Sequence, residues 1–164
     1  MKLRRSERLV DMTTYLMAHP STLIPLSFFS EQYQSAKSSI SEDLAIIKET
    51  LELKEKGTIL TVPGAAGGVK YIPGAGVEEA AHIIGELCEM METPERLLPG
   101  GYLYMTDILG QPRILDNVGK LIASRYSDQE IDVIMTVATK GIPIAYAVAR
   151  YLNVPVVIVR RDSL

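Results

Sequence analysis

Apolar positions keep helical time three times over before the rhythm of the chain changes near Gly57. In the longest of these stretches, from Ser35 to Glu55, the residues Ala36, Ile40, Leu44, Ile47 and Leu51 recur every three or four positions, which is the core face of an α-helix. Advancing about 100° per residue puts Ser38, Glu42 and Ala45 opposite that stripe, with Lys37, Ser41 and Lys48 along one flank. One face packs and the other is offered to something polar. Ser35 is a suitable N-cap, and the free backbone donors at the positive end of the helix lie beside Lys37 and Ser38, a combination that suits a phosphate oxygen.

The preceding residues complete a helix-turn-helix pattern. Leu9, Thr13 and Leu16, with Val10 and Met17 beside them, predict an amphipathic first helix from about Ser6 to His19, stopped by Pro20. A shorter helix is expected from Pro25 to Tyr33 with Leu26, Phe29 and Tyr33 as its stripe, and only Gln34 and Ser35 separate it from the long one. After Gly57 the period becomes extended. Thr58 to Val62 and Val69 to Ile72 are β-rich runs joined by a Pro- and Gly-rich turn at 63–68, a hairpin of the kind that forms the wing of a winged helix.

Pro73, Gly74, Ala75 and Gly76 make a linker, dividing the chain into domains 1–73 and 74–164. Beyond it, Val77, Ala80, Ala81, Ile84, Leu87, Cys88 and Met91 approach a heptad seam, which packs in its own core or along a partner chain. A loop through Pro94, Pro99, Gly100 and Gly101 leads to a strand at Tyr102 to Met105. A helix is then expected from about Pro112 to Tyr126, buried through Ile114, Leu115, Val118, Leu121 and Ile122. The final 34 residues read as a βαβ unit: a strand from Ile131 to Val137 with both faces covered, a loop Ala138–Thr139–Lys140–Gly141, a helix Ile142 to Leu152 and a strand Val154 to Val159. In such sheets ligands sit at the carboxyl ends of the strands, so this loop is where an anion would bind, with Lys140 as charge and Gly141 admitting backbone donors. The fold class is therefore a winged helix followed by a parallel α/β sheet.

Composition narrows the classes. An apolar fraction of 47% beside 23% charged residues is that of a folded domain, and no run approaches a transmembrane length. The basic start, Lys2, Arg4, Arg5 and Arg8, is interrupted by Glu7 and precedes no apolar segment, so it is not a signal peptide. A single cysteine, Cys88, fits a reducing cytoplasm, and two distant histidines give no metal-ligand spacing, so neither metal nor cofactor is expected. Residues 1–73 carry nine Lys or Arg against eight Asp or Glu, and 74–164 eight against twelve. A nucleic-acid reading thus rests on local placement of charge rather than on a basic domain. Gly74, Ala75 and Gly76 before a helix echo a dinucleotide fingerprint, but the third glycine is absent and Glu78 and Glu79 would repel a pyrophosphate.

Both halves resemble the purine operon repressors of low-GC Gram-positive bacteria, a winged-helix domain fused to a type I phosphoribosyltransferase-like domain. The resemblance is carried by Arg4 and Arg5 with Leu9, Val10 and Asp11, by the run Ser35 to Leu44, by the wing from Leu60 to Pro73, by Gly100 to Gly110 and by Val137 to Asp162. It implies repression of purine synthesis and transport operons, operator DNA as partner and phosphoribosyl pyrophosphate or a related purine nucleotide as inducer. It also implies that Ala138 to Gly141 is the pyrophosphate loop and that the effector domain does not catalyse transfer. The family's signature for phosphoribosyl pyrophosphate, two adjacent acidic residues followed by a glycine-rich loop, is expected beyond Asp162. The chain ends at Leu164, so it reads as the N-terminal part of such a protein, with an unpaired sheet edge and a poor response to inducer.

The candidate DNA-binding residues are Arg4, Arg5, Lys37, Ser38, Ser39, Ser41 and Lys70, and the candidate effector-binding residues are Tyr102, Ala138, Thr139, Lys140, Gly141 and Arg160. Each has a plainer reading. Arg4 and Arg5 are a phosphate-binding arm or a solvated terminus; Lys37, Ser38, Ser39 and Ser41 read DNA or form a polar face; Glu42 accepts from cytosine or solvates that face. Lys70 touches phosphate or only flanks a turn; Tyr102 flanks the effector or is core; Arg160 and Arg161 face an anion or cap an end. His19 closes its helix and His82 lies at the surface. The function classes are a transcriptional regulator, which explains both halves, a purine phosphoribosyltransferase, which explains the second, and a DNA-binding or dimerising module, which explains the first. Winged helices commonly read palindromes, so a homodimer is expected.

Overall fold

The computed structural model describes residues 3–64 and 66–161, which form two compact units divided after Gly74. Among the described residues no helix is long and apolar enough to cross a membrane. Ala65 in the wing turn, Lys2 in the basic start and Asp162 in the last matching segment lie outside the described residues.

The first unit runs α1 (Arg5–Ala18), α2 (Leu26–Tyr33), α3 (Lys37–Leu53), β1 (Gly57–Val62) and β2 (Gly68–Pro73). Its core joins Met12 and Leu16 of α1, Phe29 and Tyr33 of α2, Ile40, Leu44, Ile47 and Leu51 of α3, and Ile59, Val69 and Tyr71 of the hairpin. Strands β1 and β2 pair antiparallel, Thr58 opposite Ile72 and Leu60 opposite Lys70, and Ile24 adds a bridge to Val69 through two backbone bonds of 2.9 Å. Three short helices and a two-stranded wing are a winged helix.

Several details differ from the sequence pattern. In α1 the buried phase is Met12 and Leu16, while Val10 and Met17 face solvent, because the helix is turned toward α2 and α3 by its polar as well as its apolar contacts. Ser35 is not the N-cap of α3. Ala36 occupies that position with no side-chain cap, and the Ser35 hydroxyl instead donates to the Tyr33 carbonyl and accepts from Arg8. Ala36 is consequently exposed rather than part of the core stripe, since it precedes the first helical turn. His19 does close α1, its Nδ1 lying 2.8 Å from the Tyr15 carbonyl oxygen.

The second unit runs α4 (Val77–Met91), β3 (Leu97–Leu98), β4 (Tyr102–Leu103), α5 (Thr106–Leu109), α6 (Pro112–Arg125), β5 (Ile134–Val137), α7 (Gly141–Leu152) and β6 (Val156–Val159). The predicted strand at 102–105 shortens to two residues, pairing with β3 from within the predicted loop, and Met105 caps α5. In α4 the one buried residue is Ile83, and Val77, Ala81, Ile84 and Cys88 of the expected seam lie outside. In α6 the fully buried positions are Ile114, Gly119 and Ala123, with Leu115, Val118, Leu121 and Ile122 half-buried at the margins. The reason is the closeness of α6 to α7: a β-carbon on Gly119 would lie 2.6 Å from the Ala147 carbonyl carbon. Ion pairs from Arg113 to Glu86 and from Lys120 to Glu79 join α4 to α6, and Arg150 to Asp116 joins α7 to α6.

Strands β5 and β6 are parallel, Ile134 opposite Val156 and Val137 opposite Val159, with α7 as the crossover. The sheet is not covered on both faces as its continuous apolar runs suggest. Burial alternates along each strand, and Met135 and Val137 are 67% and 68% exposed, because α7 packs only one side of the pleat. The strands also begin later than the apolar runs, at Ile134 and Val156.

Candidate DNA interface and anion loop

In the first unit, α3 presents Lys37, Ser38, Ser41, Glu42, Ala45 and Lys48 to solvent while its opposite side carries the core. Ser39 is half-buried, closer to the core side. The Ser41 hydroxyl donates back to the Lys37 carbonyl at 2.9 Å, which leaves its lone pairs outward as acceptors. Between α3 and the wing runs a groove of about 180 Å³, lined among others by Ser41, Ala45, Lys48, Ile59 and Thr61. Lys70 lies half-buried on β2. Lys37, Ser38 and Ser41 therefore share one exposed surface.

The N-terminal arginines are placed differently from a trailing arm. Arg4 is the N-cap of α1, and its backbone N–H donates to the Glu7 carboxylate at 2.7 Å. Arg5 opens the helix itself. Its Nε donates to Asp43 Oδ1 at 2.9 Å, and its Nη2 lies 3.5 Å from Glu42 Oε2. Arg8, with its side chain only 12% exposed, donates from Nε to Asp43 Oδ2 at 2.5 Å and from Nη1 to Ser35 Oγ at 3.1 Å. Asp43 is wholly buried. Sequence reasoning missed both Arg8 and Asp43 as partners. The available signal was a carboxylate in the buried phase of α3, three residues after Ile40, and two arginines spaced by three on one face of α1. Behind them the Tyr33 hydroxyl donates to Asp11 at 2.8 Å, and burial, reinforced by that bond, pushes the phenol well above its ordinary range.

In the second unit, the loop after β5 is bound into the sheet at its start, where the Ala138 N–H donates to the Val159 carbonyl at 2.9 Å. The Ala138–Thr139 peptide is cis. Lys140 is the N-cap of α7 and Gly141 its first residue. A β-carbon at Gly141 would overlap Thr136 Oγ1, so any larger residue here has to push the Thr136 hydroxyl aside. The Lys140 ammonium donates to Thr106 Oγ1 at the start of α5, a neighbour no sequence pattern announced. Thus Ala138, Thr139, Lys140 and Gly141 are brought together. Tyr102 is 72% exposed on the hairpin and is not core, and Arg160 is exposed just past β6.

The hairpin is held to α5 by Arg96, which grips Asp107 with two bonds of 2.7 Å and also donates to the Tyr104 carbonyl. The Arg96 hydrogen bonds hold the Asp107 carboxyl down at about 2, below its usual 3.8. A lowered carboxyl pKa contributes stability above the ordinary value and loses it as pH falls toward the lowered one. The Asp107 carboxyl carbon should therefore titrate near pH 2 by NMR and return to the ordinary carboxylate range in Arg96→Gln. A midpoint near 4 in the parent chain would show that the grip does not form.

Residues 4–73 match the family described as bacterial purine repressor, N-terminal, and residues 105–163 match the phosphoribosyl transferase domain. The chain is 66% identical over 99% of its length to the purine biosynthesis transcriptional repressor PurR of Bacillus subtilis, of which it spans 57%. It is 51% identical to the probable purine biosynthesis transcriptional regulator PurR of Streptococcus pneumoniae, again over 99% of this chain and 59% of that protein. It is 48% identical to the purine biosynthesis transcriptional activator PurR of Lactococcus lactis, over 98% of this chain and 59% of that one.

Proposed function

This chain belongs to the bacterial purine repressor family, whose N-terminal winged-helix domain and phosphoribosyl transferase domain follow one another along it, and from that membership we propose that it binds operator DNA and represses genes of purine biosynthesis and transport. The observation that carries the reading is the exposed polar start of α3, Lys37, Ser38 and Ser41, set beside a wing while the opposite side of the same helix anchors the core. Such a helix enters a major groove by its N-terminal residues. Hydroxyls discriminate bases less sharply than a bidentate arginine, so DNA shape and half-site spacing contribute to specificity. Lys70 and the cap residue Arg4 lie along the phosphates.

The second unit takes phosphoribosyl pyrophosphate or a related purine nucleotide as inducer, without transferring the ribose. Ala138 to Gly141 would hold its phosphates: Lys140 supplies the charge, and the first turn of α7 supplies free backbone donors. Tyr102 and Arg160 would border the ligand. The protein acts as a cytoplasmic homodimer, matching palindromic operators. A purine phosphoribosyltransferase would use the same loop but has no need of a winged helix; release of pyrophosphate from phosphoribosyl pyrophosphate and a purine base would establish it instead. The activator from Lactococcus lactis supplies a second reading, in which the same DNA contacts raise transcription.

Binding to a duplex from the control region of the host's purine biosynthesis genes tests the proposal. Neutralising about five phosphates gives a slope of log K against log salt near −4.5, and Lys37→Ala should make it shallower by about one. In the complete protein, adding phosphoribosyl pyrophosphate should shift that binding curve. A slope near zero removes the DNA reading, and a complete protein whose curve is unmoved by millimolar effector removes the inducer.

A further inference from the structure

Arg8 lies on the DNA-binding unit but not on its polar reading face. Its guanidinium is almost covered, and its reach is inward, to Asp43 on α3 and to Ser35 in the turn before that helix. Ser35 is in turn fixed to α2: its N–H donates to the Ser30 carbonyl, its carbonyl accepts from Ser30 Oγ, and its hydroxyl donates to the Tyr33 carbonyl. One side chain of α1 therefore holds the end of α2, the turn and the first turns of α3 in a single arrangement. The α3 start has no side-chain cap of its own, and its polar ties to α1 run through Asp43 and Ser35.

We infer that Arg8 is a positioning residue for DNA recognition, acting through Asp43 and Ser35 to fix the angle at which Lys37, Ser38 and Ser41 meet the bases, without touching the duplex. Arg5 shares the task at the surface, where its guanidinium binds the buried Asp43 and offsets the exposed carboxylate of Glu42, which would otherwise face the phosphates. The inference rests on the DNA-binding reading above and adds a residue outside the groove to it.

The test uses the chain with Arg8→Gln and Asp43→Asn combined, which removes both charges together and leaves neutral amides, so that no unpaired ion is buried. Binding is measured over a salt series to the purine control-region duplex and to a scrambled duplex of the same composition. Preference for the control region should fall on the order of tenfold, the loss of about one well-made base contact, with the salt slope unchanged because no phosphate contact is removed. A purely structural role would weaken binding to both duplexes in proportion to the unfolded fraction, which thermal melting reports, and leave their ratio as in the parent. That outcome overturns the inference, as does a slope shallower by about one, which would place Arg8 on a phosphate. A parent chain indifferent to sequence and salt overturns the DNA reading together with this inference, whereas a discriminating parent beside an equally discriminating double variant overturns this inference alone.

Discussion

Phe29→Ala should lower the stability of the first unit by about 3 to 5 kcal/mol, the range for emptying an aromatic site that cannot collapse. Phe29 has no exposed surface, and its ring meets Phe28 and Tyr15 edge-on at 5.3 and 5.9 Å and lies parallel to that of Tyr33 at 6.3 Å. It stands where α2 contacts both other helices, so its removal opens a void that all three line. In a domain of this size the loss corresponds to on the order of 15 °C or more in melting temperature. Phe28→Ala is the natural comparison, because Phe28 is adjacent but more than a third exposed, and it should cost far less. Calorimetry on the two variants checks the helix phase directly: a larger loss for Phe28 would mean that α2 is rotated from the position described.

Asp43→Ala should be equally damaging, by about 3 to 5 kcal/mol, for a different reason. Removing the carboxylate leaves the covered guanidinium of Arg8 without its counter-ion, and the desolvation cost of that charge is then borne by the folded state alone. Asp43→Asn retains an acceptor and the side-chain volume and should cost less. Urea unfolding monitored by far-UV circular dichroism measures both. If Asp43→Ala melts within a few degrees of the parent, water reaches Arg8 freely and the pair is not buried in solution.

The first unit was legible wherever periodicity alone decides. Ile40, Leu44, Ile47 and Leu51 are buried as their spacing requires, and Thr58–Val62 and Val69–Ile72 do pair across the turn. Periodicity fails where a polar residue occupies a core phase. Asp43 shares the buried side of α3 with Ile40 and Leu44, and a pattern that sorts residues by polarity leaves it out; its arginine partners lie more than thirty residues away. The same rule misplaced Ser35, whose composition suits a cap but whose hydroxyl is already engaged by Arg8 and Tyr33.

In the second unit the βαβ order and the loop Ala138–Gly141 could be read, since a β-rich run, a short Gly-containing turn and a helix with Pro143 in its first turn each leave a local mark. The hairpin β3–β4 could not, because two-residue strands carry no period. The outward face of α4 was ambiguous from the start: Val77, Ile84 and Cys88 satisfy a heptad as well as Ile83 satisfies a core, and only packing chooses. Continuous apolar strands likewise do not say how many layers cover them, which is why Met135 and Val137 were read as interior. The partner of Lys140, Thr106, is 34 residues distant and is set by tertiary structure alone.

The bond between Arg8 and Asp43 also bears on inheritance. Thirty-five residues apart, the two positions are coupled, since Arg8 without Asp43 is stranded away from water and Asp43 without Arg8 keeps only the half-exposed Arg5 as counter-ion. Descendants of this gene should keep both or exchange both, with intermediates rare, so that the first helix and the recognition helix drift through sequence space as a linked pair.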